Sequence, residues 1–159
     1  MPAPRQYAFC AAVDATLRLA VEELFFFNPG QSLLIAAIRA SIERHGPPEI
    51  VEREGKVWIG VRSGTMQCLF ACDPQRPPGW PAAVALFGRT TPDALAIAHL
   101  AVDPDYGPGN GVGDPGAGLV LIEKIREVGH SINGVRRIGL PYRAGVFLPI
   151  GKPLLGDGR

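Results

Sequence analysis

The stretch Leu95–Leu140, LAIAHLAVDPDYGPGNGVGDPGAGLVLIEKIREVGHSINGVRRIGL, decides the fold. It reads as a strand, a glycine-rich loop, an amphipathic helix and a second strand. Leu95 to Val102 is apolar, with Thr91-Pro92-Asp93 before it and Asp103-Pro104-Asp105 after it. Turn clusters on both sides of so short an apolar run mark a well-buried strand. From Gly107 to Gly118, twelve residues hold six glycines and two prolines, so few side chains stand between the backbone and a ligand. A helix is predicted from Leu119 to Val128. Leu121, Ile122, Ile125 and Val128 share one face, while Glu123, Lys124, Arg126 and Glu127 lie away from it. Gly129 is expected as the C-terminal stop, and Val135 to Leu140 as the next strand, closed by Pro141.

A turn of this kind leaves N–H groups unpaired at a helix N-terminus, where an anionic phosphate can bind. The same composition also makes a flexible connection. The loop is not a P-loop, because no Gly-Lys-Ser/Thr follows, and it is a poor dinucleotide fingerprint, because Ile138–Leu140 holds no acidic residue for a ribose.

Outward from this stretch, helical spacing runs from Asp14 to about Phe27 through Leu17, Val21, Leu24 and Phe25, with Asp14 as N-cap. Asn28-Pro29-Gly30 breaks it. A second helix runs from Gln31 or Ser32 to His45, with Leu34, Ile35, Ile38 and Ile42 on one face, and Gly46-Pro47-Pro48 ends it. Strands are predicted at Glu49–Arg53, Lys56–Arg62, Thr65–Ala71 and Ala83–Arg89, with tight hairpin turns at Glu54-Gly55 and Ser63-Gly64. Two helices, an antiparallel meander and a strand–helix–strand unit make an α+β fold of mixed α/β layers. Asp73–Pro81 is a proline-rich loop rather than a linker, so 1–159 is expected to be a single domain, with 150–159 a flexible tail.

A chain of 159 residues buries about 70% of its unfolded surface, enough for a core. The formal net charge of +1 gives no electrostatic reason for a nucleic-acid or membrane partner. Apolar runs fall well short of the ~20 residues of a membrane span. The start Met-Pro-Ala-Pro-Arg lacks an apolar signal segment, so the cytoplasm is the default expectation. Cys68 and Cys72, four apart, would share a strand face as small buried side chains. With histidines scattered at 45, 99 and 130, neither a zinc site nor a Cys–His nucleophile is expected.

The run Ile97-Ala98-His99-Leu100-Ala101-Val102-Asp103-Pro104-Asp105-Tyr106, followed by Gly116-Ala117-Gly118-Leu119-Val120-Leu121-Ile122, resembles the acetyl-CoA motif of the GNAT N-acetyltransferase superfamily. In that family a strand ends in a Val-x-Pro-x-Tyr-like corner, and an Arg/Gln-x-x-Gly-x-Gly/Ala loop opens a helix. The resemblance implies a central, mostly antiparallel sheet flanked by helices. It implies acetyl-CoA as co-substrate, with pantetheine paired to a splayed strand end at Leu100, Ala101 and Val102. The pyrophosphate would lie on loop amides around Gly113, Gly116, Ala117 and Gly118. The implied activity is acetyl transfer to a small-molecule or peptide amine; the alternative is a non-catalytic binding or assembly module of the same fold. The family's Arg or Gln falls on Gly113, and the loop is longer than the family's. After Leu140 the family expects a further helix and two strands, which leaves a homodimer as one way to complete the sheet. The family's general-acid tyrosine has no aligned position; Tyr142 is near in sequence only.

His99 has two readings. On a face shared with Leu95, Ile97 and Ala101 it is a structural histidine, or it is a general base for the amine. Phe25-Phe26-Phe27 is core at a helix end or a wall of the acceptor pocket, beside Asn28–Gln31, where the resembled family brings its acceptor. Arg136-Arg137 is a solvated pair or meets a nucleotide phosphate.

Overall fold

The computed structural model describes residues 5–109, 114–143 and 145–151. Its strands are β1 (Ala8–Cys10), β2 (Val13–Asp14), β3 (Pro48–Arg53), β4 (Lys56–Val61), β5 (Gln67–Asp73), β6 (Trp80–Thr91), β7 (Ala94–Val102), β8 (Arg137–Gly139) and β9 (Phe147–Pro149). The helices are α1 (Arg18–Phe25), α2 (Ile35–His45) and α3 (Ala117–His130), with short 3-10 turns before α1 and α2 and after β7. The fold is α+β. A six-stranded sheet has the order β1-β5-β6-β7-β8-β9, and a three-stranded sheet has the order β2-β4-β3. Every pairing is antiparallel except β7 with β8, which the α3 crossover makes parallel.

Both faces of the large sheet are covered, which explains why β6 is apolar at nearly every position from Pro81 to Phe87. On one face Val84 and Leu86 pack with Val21, Leu24 and Phe25 of α1 and with Val57 and Ile59 of β4. On the other, Ala83, Ala85 and Phe87 pack under Leu121 and Ile125 of α3. Alanines at 71, 82, 83 and 85, all fully buried, let α3 lie close to the strands.

At the element level one expected hairpin turn is present and several other expectations are corrected. Glu54-Gly55 is a two-residue hairpin turn with both φ positive (+52° and +76°), joining β3 to β4. Ser63-Gly64 is not a hairpin, because β4 and β5 belong to different sheets. The apolar faces of those sheets stack on one another, Val57 and Ile59 against Phe70, so the chain crosses between layers at that point. Asp14 caps the 3-10 turn Ala15–Leu17 by accepting from the Thr16 N–H, and the α-helix proper starts at Arg18. Gly129 does not stop α3, which continues to His130. A Cβ at Gly129 would lie 3.0 Å from Ile150 Cδ1 and 3.3 Å from Leu95 Cδ1, so its glycine serves close packing. Ile150, the expected start of the tail, is held: its N–H donates to the Arg136 carbonyl, and its carbonyl accepts from Arg126 at 2.6 Å.

Candidate functional site

Strands β7 and β8 pair only through Ala94–Ala96 and then part. Two local features cause this. Leu86 faces His99 while Phe87 faces Ile97, so Ala98 is an extra residue that bulges β7. On the β8 side the chain turns at Pro141, which has no N–H to continue a ladder. The outer edge of β7 beyond Ala96 is therefore without a strand partner among the described residues. Three side chains from separate segments meet its backbone instead. Ser41 of α2 donates to the Ala98 carbonyl at 2.6 Å, and Asn28 donates to the Val102 carbonyl at 2.8 Å. The Tyr142 hydroxyl accepts from the Leu100 N–H at 3.2 Å and donates to its carbonyl at 3.3 Å.

The bulge also changes which way His99 points. Strict alternation would set His99 with Leu95 and Ile97. Those two pack under α3, whereas His99 lies edge-on to Phe25 of α1, with ring centroids 5.7 Å apart. The extra residue Ala98 reverses the alternation, so only Ala101 of the expected face is on its side. His99 is 2% exposed, and Nδ1 lies 3.4 Å from the Tyr142 hydroxyl. Nε2 has no hydrogen-bond partner among the described residues. Burial, with a smaller push from nearby His45, lowers its pKa to about 4. A neutral, enclosed imidazole of this kind is not poised to take a proton from an ammonium.

Tyr142 is the residue that sequence reasoning left unplaced. It adopts a left-handed backbone (φ +61°) at the turn after Pro141, and burial raises its pKa while the Leu100 backbone contact opposes the rise. It lines a cavity of about 220 Å³ between α2 and the parted strands, together with Ser41, Arg44, His45 and Arg143. Among the described residues that line it, the charged side chains are the cations Arg44 and Arg143, and burial lowers the pKa of His45. The only sequence signal was the Pro141-Tyr142 turn just after the second strand of the motif.

The glycine-rich loop ends against the same strand end. Gly116 is the N-cap of α3, with φ +83° and no side-chain cap. A Cβ there would come within 2.7 Å of Pro108 N, so glycine is required by the fold of the loop itself. A Cβ at Gly118 would lie 2.8 Å from Val102 Cγ2, so this glycine lets α3 seat on β7. Ala117 is fully buried. The Asp114 carboxylate accepts from the Gly116 N–H at 2.9 Å and so takes one of the amides at this helix end. Gly113 lies outside the described residues. The Asp103–Tyr106 corner is firmly tied: Asp103 accepts from Asp105 N–H and Trp80 Nε1, and Tyr106 donates to Asp73 at 2.8 Å.

The structure thus brings Leu100, Val102, Gly116 and Gly118 together and adds Asn28, Ser41 and Tyr142. Of the phenylalanine triplet, Phe25 is core, while Phe26 and Phe27 are 39% and 74% exposed. Arg137 pairs with Asp93 at 3.4 Å and stacks on Phe147, at the far end of β7 from Val102. Among the described residues no group of His, Cys, Asp and Glu is placed to hold a metal ion, and no helix is long and apolar enough to cross a membrane. Compared with protein-family models, with curated proteins and with solved structures, the chain matches none.

Proposed function

We propose that the protein is an N-acyltransferase that moves an acetyl group from acetyl-CoA to an amine, small molecule or peptide, in the cytoplasm. The observation that supports this most is the parting of β7 from β8 directly beside the N-terminus of α3. One end of that cleft offers backbone N–H and C=O groups at Leu100 and Val102 for an extended amide-bearing arm. The other offers helix-end amides for phosphate. The co-substrate supplies an activated thioester carbonyl; the chain supplies position and charge stabilisation. The Leu100 N–H, released from Tyr142, polarises the carbonyl. The Tyr142 hydroxyl, protonated at neutral pH, donates to the leaving sulfur. The amine enters from the α2 side, through the cavity that Tyr142 lines, and loses its proton to water. His99 acts through Tyr142, as a positioning residue rather than a base.

A non-catalytic module of this shape is the second reading. Two observations favour it: Asn28 and Tyr142 already satisfy the open edge, and Asp114 sets a negative charge where a pyrophosphate would sit. Thermal melting with acetyl-CoA, CoA and ATP, followed by thiol release with a panel of amines, separates the two. At a hundredfold excess over Kd, acetyl-CoA stabilises by about 2.7 kcal/mol, or very roughly 5–10 °C for a chain of this size. Binding without turnover leaves the module, and no shift at millimolar acetyl-CoA rejects the CoA reading.

A further inference from the structure

Cys10 ends β1 and Cys72 lies near the end of β5, its antiparallel neighbour, where Ala8 faces Cys72 and Cys10 faces Phe70. Such a diagonal pair is ordinarily too far apart for short side chains to meet. Here the two Sγ atoms nonetheless lie 3.2 Å apart, beside the bulge that the extra residue Ala82 makes in β6, where Ala71 pairs with Ala83 and Cys72 with Pro81. That is non-bonded contact, about 1.2 Å longer than a disulfide bond. The two thiols differ in access. Cys72 is 3% exposed, whereas Cys10 is half-buried; both line a cavity of about 540 Å³ together with Asp14, Lys56, Pro77 and Gly79. Cys68, on the same strand as Cys72, belongs to the core cluster and does not line this cavity.

We propose that Cys10 and Cys72 form a reversible dithiol–disulfide site for hydroperoxides, with Cys10 the thiol oxidised first and Cys72 the resolving thiol. The Cys10 thiolate attacks one oxygen of hydrogen peroxide and the O–O bond breaks. Cys10 becomes a sulfenic acid, and the hydroxide released takes up a proton as water. The Cys72 sulfur, losing its proton, then attacks the Cys10 sulfur. The S–S bond forms as the S–O bond breaks, and a second water leaves. Two electrons pass from the two sulfurs to the peroxide, and a thiol reductant reverses the change. The electrostatics assist: the hydrogen bond from Cys72, and then the charge of Lys56, lower the Cys10 thiol to about 7, while the contact with Cys10 and burial raise that of Cys72. Burial pushes Cys68 up to about 12, which keeps it out of the reaction. The bond would pin the edge strand β1 to β5 and close a loop that contains α1, α2 and the small sheet.

The test treats the full chain with a small excess of hydrogen peroxide, then alkylates it and maps tryptic peptides without reduction, with fragment ions assigning the link because Cys68 and Cys72 share one tryptic peptide. The expected result is a Cys10–Cys72 linked peptide, Cys68 modified only after unfolding, and full reversal by dithiothreitol. The oxidised protein should melt several degrees higher, because the cross-link restrains the unfolded chain. Cys72→Ala should give no link and should accumulate Cys10 sulfenic acid, read by a dimedone adduct. Cys10→Ser should be inert to peroxide while folded. Two free thiols after treatment, a stable Cys10 sulfenic acid in the wild type, or a link that includes Cys68 would each overturn the assignment.

Discussion

Replacing Tyr142 by Phe removes one oxygen and tests both the geometry of the parted strands and the chemistry proposed for them. The hydroxyl serves the Leu100 N–H at 3.2 Å and the Leu100 carbonyl at 3.3 Å, and stands 3.4 Å from His99 Nδ1. Phe keeps the ring edge-on to His99 and the same left-handed backbone, so backbone strain cancels between the two proteins. What is lost is the bonding of the part-buried Leu100 N–H and C=O, on the edge of β7 that β8 does not reach. A net hydrogen bond is worth about 1 kcal/mol, and an orphaned buried donor costs about 1–3. The cavity beside Tyr142 can admit water, which favours the lower part of that range, about 1–2 kcal/mol. At roughly 2–4 °C per kcal/mol, Tm should fall by about 2–8 °C. Thermal melting by circular dichroism reads this directly. If the hydroxyl is the proton donor to the leaving thiol, kcat should also fall by about 10²-fold or more, with the affinity for acetyl-CoA changing far less. An unchanged Tm would show that the hydroxyl does not hold Leu100. A lowered Tm with unchanged turnover per folded molecule would leave Tyr142 as a structural prop and remove it from the chemistry.

Two further perturbations follow from the same packing. His99 has a folded pKa of about 4, below the ~6.5 of an unfolded chain, so the unfolded state binds more protons between those values. Stability should be full above about pH 6.5 and fall as pH drops toward 4, by about 3 kcal/mol in all; in urea titrations at pH 7.5 and 4.5, His99→Gln should show a smaller difference than the wild type, and an equal difference would show that His99 does not carry it. Gly118→Ala places a Cβ against Val102 Cγ2 at 2.8 Å, an overpacking cost of about 1–3 kcal/mol. Val102→Ala in the same molecule should restore part of it; a neutral or stabilised single variant, as helix propensity alone would give, would show that α3 is not seated so closely.

The interior of the fold was legible where one physical signal dominated. The apolar runs of β6 and β7, the face of α3 through Leu121 and Ile125, and the Glu54-Gly55 turn were read from local pattern alone, because burial and turn chemistry act on neighbouring residues. The α+β class followed from the order of those elements. Short edge strands escaped notice: β1 and β2 are three and two residues long, with too few positions for a period to show.

The candidate site was legible only in part. Leu100, Val102, Gly116 and Gly118 lie in one continuous motif, and the strand–loop–helix pattern locates them. Whether those glycines face a ligand or a neighbouring side chain depends on the contacts of Pro108 and Val102, which only the folded chain supplies. The orientation of His99 hung on a single extra residue, Ala98, because one bulge reverses the face of every residue beyond it. Asn28, Ser41 and Tyr142 come from three distant segments, and the meeting of Cys10 with Cys72 depends on a strand pairing across 62 positions. The sequence by itself determined which segments are buried and what elements they form, since those depend on nearest neighbours. The tertiary structure alone decided which unpaired backbone groups and which sulfurs face one another, since that depends on how two sheets and three helices close over the same strands.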